Sequence, residues 1–179
     1  MDVKNLAELY GADPMDWAPV EARLAQGFTQ APETGGPDRH TCWLATLNPD
    51  GTPHVTGIGA SWNDGTFWFE TGLRTRKGRN VTRDPRCSLS LALHEFDLTV
   101  EGRAELITDP EAVAEYAARA AAGGWPARVD DSGTALTADY SAQSAGAPPW
   151  HVFRIATHRA TAVQTVEPFG ATRWTFDAA

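Results

Sequence analysis

Between residues 41 and 71 the chain repeats one pattern: a short run of β-branched and aromatic residues followed by a turn signal. Residues 41–47 read TCWLATL and end at Asn48-Pro49-Asp50-Gly51. Residues 54–62 follow and end at Asn63-Asp64-Gly65, and residues 66–71 read TFWFET. Branched and aromatic side chains suit a pleated, half-buried surface. Asn, Asp and Gly suit tight turns because they tolerate left-handed backbone. A period of two puts Phe67 and Phe69 on one face and Trp68 and Glu70 on the other. This predicts a meander of three consecutive strands.

The flanking sequence extends that pattern. Pro19 and the spacing of Val20, Leu24 and Phe28 predict a helix over 20–28, and the Pro- and Gly-rich stretch 29–39 reads as a loop. Thr75 opens a short helix over 75–83, which Asp84-Pro85 ends. Strands are predicted over 87–93 and 98–107. Asp109 caps a helix with Pro110 at its first position, running over 111–122 and stopping at Gly123-Gly124. Residues 125–149 read as a long irregular segment, and loops of that length are usually functional. Strands close the chain over 150–156, 159–166 and 172–176. Many strands with few helices favour a closed barrel. The division expected is a helical lead-in and loop over 1–37 and a barrel domain over 38–179.

With 179 residues the chain is large enough to bury a core without disulfides or metal. Its formal net charge of −8 makes it a poor general partner for nucleic acid or anionic lipid, so a positive site must be local. Cys42 and Cys87 lie in apolar runs and read as buried thiols. The opening MDVKNLAELY has no basic-then-apolar leader, and no run approaches the ~20 apolar residues of a membrane span. The expected compartment is the cytoplasm.

One local positive site stands out. The segment Thr71-Gly72-Leu73-Arg74-Thr75-Arg76-Lys77-Gly78-Arg79-Asn80 holds four of the fifteen basic residues where a strand gives way to a helix. Free amides and the dipole at a helix start attract phosphate, and arginine can grip it through two hydrogen bonds. Taken alone, the segment also fits a solvated basic helix. In the strand of His54, Val55, Thr56 and Gly57, the two glycines Gly57 and Gly59 mark either close approach by a ligand or a bulge or barrel corner. His40, His54, His94, His151 and His158 show no metal-ligand spacing, and no carboxylate pair is placed for acid–base work. Trp125, Trp150 and Trp174 read as packing residues or as a platform for a ring. Any hard chemistry would belong to a cofactor.

Taken in order, the Asn-Pro-Asp-Gly-Thr-Pro turn, the His-Val-Thr strand, Thr-Phe-Trp-Phe-Glu-Thr-Gly and Thr-Arg-Lys-Gly-Arg-Asn-Val-Thr-Arg-Asp-Pro-Arg resemble the pyridoxamine 5′-phosphate oxidase-like split barrels. The runs from Phe96 to Ala104 and from Thr172 to Phe176 extend the resemblance over about residues 38–177. It implies a mainly β split barrel with flanking helices, a homodimer with two cofactor sites at the subunit interface, and a small-molecule substrate. The cofactor implied is FMN or the deazaflavin F420. Carried over by position, Thr75, Arg76, Lys77 and Asn80 would hold its phosphate beside Thr71. His54, Val55, Thr56 and Gly57 would line the ring, and Trp150 and Arg154 would come from the other subunit. Hydride transfer at the ring needs no separate catalytic residue. F420 also carries a polyglutamate tail, which Arg74, Arg79 and Arg83 could serve. The family's C-terminal substrate signature is missing, so vitamin B6 oxidation is not the expected reaction. The rival expectations are a carrier of flavin, F420 or haem, with His40, His94 or His151 on the iron, and a scaffold in a dimer.

Overall fold

The apolar runs become strands where their faces can be buried together. The computed structural model describes residues 1–28 and 41–177, so the loop expected over 29–39 and His40 lie outside the described residues. A strand that the sequence did not lead us to expect, β1 (Asp2–Asn5), comes first, and α1 (Trp17–Ala25) follows. β2 (Cys42–Leu47) and β3 (Pro53–Ile58) form a hairpin in which Thr46 faces His54 and Cys42 faces Ile58. β4 (Ser61–Asn63) and β5 (Thr66–Thr71) form a second. Its turn has positive φ at both Asp64 (52°) and Gly65 (73°), the backbone that matches the twist of paired strands.

The single strand expected over 54–62 is thus broken at Gly59-Ala60, and the three-strand meander is replaced by two separate hairpins. The reason lies far along the chain. β10 (His151–Gln164) is one 14-residue strand where two were expected. Its residues 151–154 pair with β5, and Phe69 and Phe153 stack across the ladder with ring centroids 5.3 Å apart. Its residues 159–163 pair on the same edge with β11 (Ala171–Thr175), whose other edge takes β1. Along its opposite edge β10 pairs throughout with β7 (Phe96–Ile107), with a register shift between Thr157 and Arg159. The sheet therefore forks at β10. It continues from β7 through β6 (Arg86–Ala92) and β2 to β3, which ends that arm.

Two cores fill the two sides. Leu44, Leu89, Leu98, Val100, Phe67, Phe69, Phe153, Ile155 and Trp174 pack with Val20 and Leu24 of α1 in the first. Burying each such side chain is worth roughly 1.5–3 kcal/mol. The second lies against α3 (Pro110–Ala122), where Val113 and Tyr116 meet Trp68, Leu136, Trp150 and Val152. The expected split of β5 holds: Phe67 and Phe69 enter the first core and Trp68 the second. The α3 caps also form as read, since the Asp109 carboxylate accepts from the Ala112 amide at 3.2 Å and the helix ends at Gly123. The segment expected to be irregular carries a small ladder, β8 (Arg128–Val129) with β9 (Leu136–Thr137), which completes the second core. No helix among the described residues is long and apolar enough to cross a membrane.

Candidate functional site

The basic segment forms the junction of β5 and α2 (Arg76–Arg83). Thr75 caps the helix. Its hydroxyl accepts from the Gly78 amide at 3.1 Å and donates to the Gly72 carbonyl at 2.8 Å. Because that proton is committed, the Thr71 hydroxyl, 3.0 Å away, is the donor in their mutual bond. Both lone pairs and the proton of Thr75 are then used, so this residue builds the helix start instead of presenting a free hydroxyl. No protein group among the described residues accepts from the backbone amides of Arg76 and Lys77. These are first-turn donors that a helix leaves unsatisfied, and they carry the positive end of its dipole. Gly78 seats the turn: a Cβ there would stand 2.4 Å from the Gly72 oxygen.

The helix divides its charges between two faces. Arg76, Arg79 and Arg83 are exposed, while Lys77, Gly78, Asn80 and Val81 are buried. The arginines line a groove of 580 Å³ whose other wall is Asn48, Pro49 and Asp50. Lys77 points the other way. Its ammonium donates to the Ser144 carbonyl, under a strap also fastened by the Gly72 amide to the Ala145 carbonyl at 3.1 Å. Burial lowers the Lys77 pKa, opposed by the nearby Glu70 carboxylate. Burial raises the pKa of Glu70, opposed by the Tyr116 hydroxyl that donates to it and by Lys77. Expected to meet a phosphate, the Lys77 side chain is instead tied to the strap.

Asn80 joins the helix to the hairpin. Its Nδ2 donates to Thr46 Oγ1 at 3.0 Å and to Asn48 Oδ1 at 3.3 Å, and the Thr46 hydroxyl reaches the His54 carbonyl at 3.4 Å. Desolvation, followed by the charges of Arg76 and Lys77, lowers the His54 pKa and so favours its neutral imidazole. From His54 the strand runs outward through Val55, which is 57% exposed, to Thr56 and Gly57. β3 ends its arm of the sheet, so among the described residues one of its backbone edges faces no strand. Gly57 stays within β3 opposite Trp43, while Gly59 resolves in favour of a corner. A Cβ at Gly59 would meet nothing within 4 Å, and Gly59 lies where the chain leaves β3 for β4.

The structure thus brings together Thr71, Thr75, Arg76, Asn80 and His54, with Val55, Thr56 and Gly57 continuing along the edge strand. Trp150 stands apart and corrects the expectation of contact with a partner's ring. It is fully buried, packs against Trp125 and Tyr140, and donates from Nε1 to the Gly146 carbonyl at 2.9 Å. Arg154 is exposed and paired with Glu105 at 2.7 Å, away from α2. Trp174 is buried against Trp17. Of the histidines weighed for iron, His94 is exposed and His151 is half-buried with no partner for Nδ1 among the described residues. Sequence reasoning missed the site roles of Thr46, Asn48 and Asp50. The Asn48–Asp50 turn was legible as a turn, but its position opposite α2 depends on the pairing of β2 with β6.

A family model described as pyridoxamine 5′-phosphate oxidase matches residues 28–164. The chain is 36% identical over 76 residues to a pyridoxine/pyridoxamine 5′-phosphate oxidase of Bacteroides thetaiotaomicron, covering 41% of this chain and 35% of that one. It is 30% identical over 135 residues to a protein of the same description from Azorhizobium caulinodans, covering 66% and 64%. It therefore spans less than two-thirds of either relative. Among solved structures, a conserved hypothetical protein from Mycobacterium tuberculosis shares the fold with a TM-score of 0.57 at 24% identity, over 83% of this chain and 84% of that one.

Proposed function

Since the chain belongs to the pyridoxamine 5′-phosphate oxidase family, we propose that it is a flavin-type oxidoreductase that holds the cofactor phosphate at the start of α2 and the ring along β3. The observation that carries this reading is that, among the described residues, the Arg76 and Lys77 amides meet no acceptor and the Arg76 guanidinium beside them meets no carboxylate within 4 Å. An anion there gains two backbone donors, the helix dipole and a bidentate side chain.

The donor set fits a ring with a phosphate-bearing tail. Arg76 and the two amides bind the phosphate. Thr75 and Thr71 fix the direction of those amides by locking the first turn. Asn80 holds the helix against Thr46, so phosphate and ring subsites keep one spacing. The edge of β3 that no described strand covers offers backbone groups to a ring's polar rim, and the neutral form of His54, which its lowered pKa favours, offers one donor and one acceptor beside it. FMN, or F420 in its place, supplies the hydride chemistry when bound. The substrate is a small molecule other than pyridoxamine phosphate.

The working unit of this proposal is a homodimer with the ring at the subunit interface. Trp43, 52% exposed, and Val55 share the outer face of β2 and β3, and a second subunit would bury both. Arg154 is the residue we assign to the partner's site; Trp150 is withdrawn from that role.

The test is the absorption spectrum of the purified protein, followed by titration with FMN and with F420. Binding of at least one tighter than about 100 μM, only ~5.5 kcal/mol, is expected. Failure of both to bind at that level removes the oxidoreductase reading.

A further inference from the structure

We propose that the outer edge of β1 docks a second copy of this chain, the two β1 strands pairing antiparallel about a two-fold axis through Val3. β1 and β3 are the two ends of the strand order, so this contact is separate from the outer face of β2 and β3 and independent of the cofactor reading.

The register decides what that edge offers. The Leu6 amide donates to the Ala171 carbonyl at 2.8 Å, so these two residues form a hydrogen-bonded pair. Antiparallel ladders alternate such pairs. Lys4 with Arg173 and Asp2 with Thr175 are therefore the next two, and the backbone groups of Val3 and Asn5 turn outward. Among the described residues no strand meets them. With Val3 on the axis, each Val3 exchanges two backbone hydrogen bonds with Val3 of the second copy. Both faces of the joined sheet then match. On one face Val3, 45% exposed, continues the row of Ala160 and Trp174, which are fully buried, and Val3 of the second copy extends that row. On the other face Lys4 lies directly opposite Arg173, and like charges so placed repel. Among the described residues neither cation has a carboxylate within 4 Å, and Asp2 has no basic partner. The two-fold axis sets Asp2 of the second copy opposite Lys4, and Lys4 of the second copy opposite Asp2. A lysine on an edge strand ordinarily deters pairing. With Asp2 two positions away, it makes this edge complementary to itself.

Val3→Cys tests the register. Hydrogen-bonded antiparallel partners have Cα atoms about 5.5 Å apart, within reach of a disulfide, and Cys42 and Cys87 are buried and do not compete. At low salt the V3C protein should oxidise to a disulfide-linked pair on a non-reducing gel. V3C/D2K and V3C/K4D should each do so roughly tenfold more slowly or less, because every charge pair across the axis becomes like-signed. An equimolar mixture of those two variants should regain the V3C rate and give the mixed product, since one copy then sets two cations against the other's two anions. Damage to the fold of either variant cannot produce that recovery. Sedimentation equilibrium reads the same contact without an added cysteine: K4D should halve the mass of the largest species. The change is from tetramer to dimer if the outer face of β2 and β3 also pairs, and from dimer to monomer if it does not. V3C that stays unlinked, one oxidation rate for V3C, V3C/D2K and V3C/K4D, a mixture no faster than its components, or a mass that K4D leaves unchanged overturns the proposal.

Discussion

Replacing Gly78 by alanine tests how α2 is seated. The new Cβ would stand 2.4 Å from the Gly72 oxygen and 2.9 Å from Leu73 Cα, where ordinary contact begins near 3.4 Å. Both neighbours are backbone, so neither can rotate away, and the helix must withdraw by about 1 Å. Alanine returns about 1 kcal/mol of helix propensity. Forcing a methyl into packed backbone costs roughly 1–3 kcal/mol or more. A net loss of up to about 2 kcal/mol follows, a fall in Tm of up to roughly 4–8 °C for a chain of this size. The same withdrawal moves the Arg76 and Lys77 amides, so FMN affinity should drop about tenfold, or ~1.4 kcal/mol. Urea unfolding followed by circular dichroism measures the first effect and flavin fluorescence titration the second. Gly59→Ala is the control: its Cβ meets nothing within 4 Å, so stability should stay within about 0.5 kcal/mol. A G78A protein as stable as its parent, with unchanged affinity, would refute the close seating of α2.

Three further expectations concern the parts around the site. Trp150→Ala should cost about 3–5 kcal/mol by urea unfolding while leaving cofactor affinity per folded molecule unchanged, because Trp150 is fully buried in the second core; a selective loss of affinity would contradict this. Burial pushes the Glu70 carboxyl above its ordinary 4.5, so the folded chain keeps that proton to higher pH than the unfolded chain. This contribution to stability is present below pH 4.5 and lost as pH rises through the folded-state value. Glu70→Gln, which cannot ionise, should flatten that fall and be more stable than the parent at pH 7; a less stable variant there would count against the assignment. Burial also pushes the thiols of Cys42 and Cys87 up to about 12, so Ellman's reagent should label neither in the native protein and both after unfolding, and rapid native labelling of either would be incompatible with the core.

Local signals were legible in the sequence because they act within a few residues. The Thr75 and Asp109 caps, the Asn63–Gly65 turn and the in–out alternation of β5 all formed as read. What escaped was set by partners far along the chain. β1 has no apolar stripe to announce it; it exists because Asp2 to Asn5 pair with Thr175 to Thr172 at the other end. The polar run Thr157-His158-Arg159 reads as a break between strands, but a register shift in the ladder with β7 carries β10 through it. The meander failed because β5 found Phe153 instead of β3. Within the site, residue types were legible and directions only partly so. Helical spacing alone separates Arg76, Arg79 and Arg83 from Lys77, Asn80 and Val81, and applying it would have turned Lys77 inward. The Ser144 carbonyl that receives Lys77 lies 67 residues away and leaves no local trace.

The central claim is that the start of α2 grips a phosphate. Affinities should be compared for FMN against riboflavin, and for F420 against the same ring without its phosphate, in the parent and in Arg76→Gln. The parent should prefer the phosphorylated member of at least one pair by tenfold or more, about 1.4 kcal/mol, and Arg76→Gln should remove most of that preference. Equal affinity within both pairs in the parent, or a preference untouched by Arg76→Gln, would contradict it.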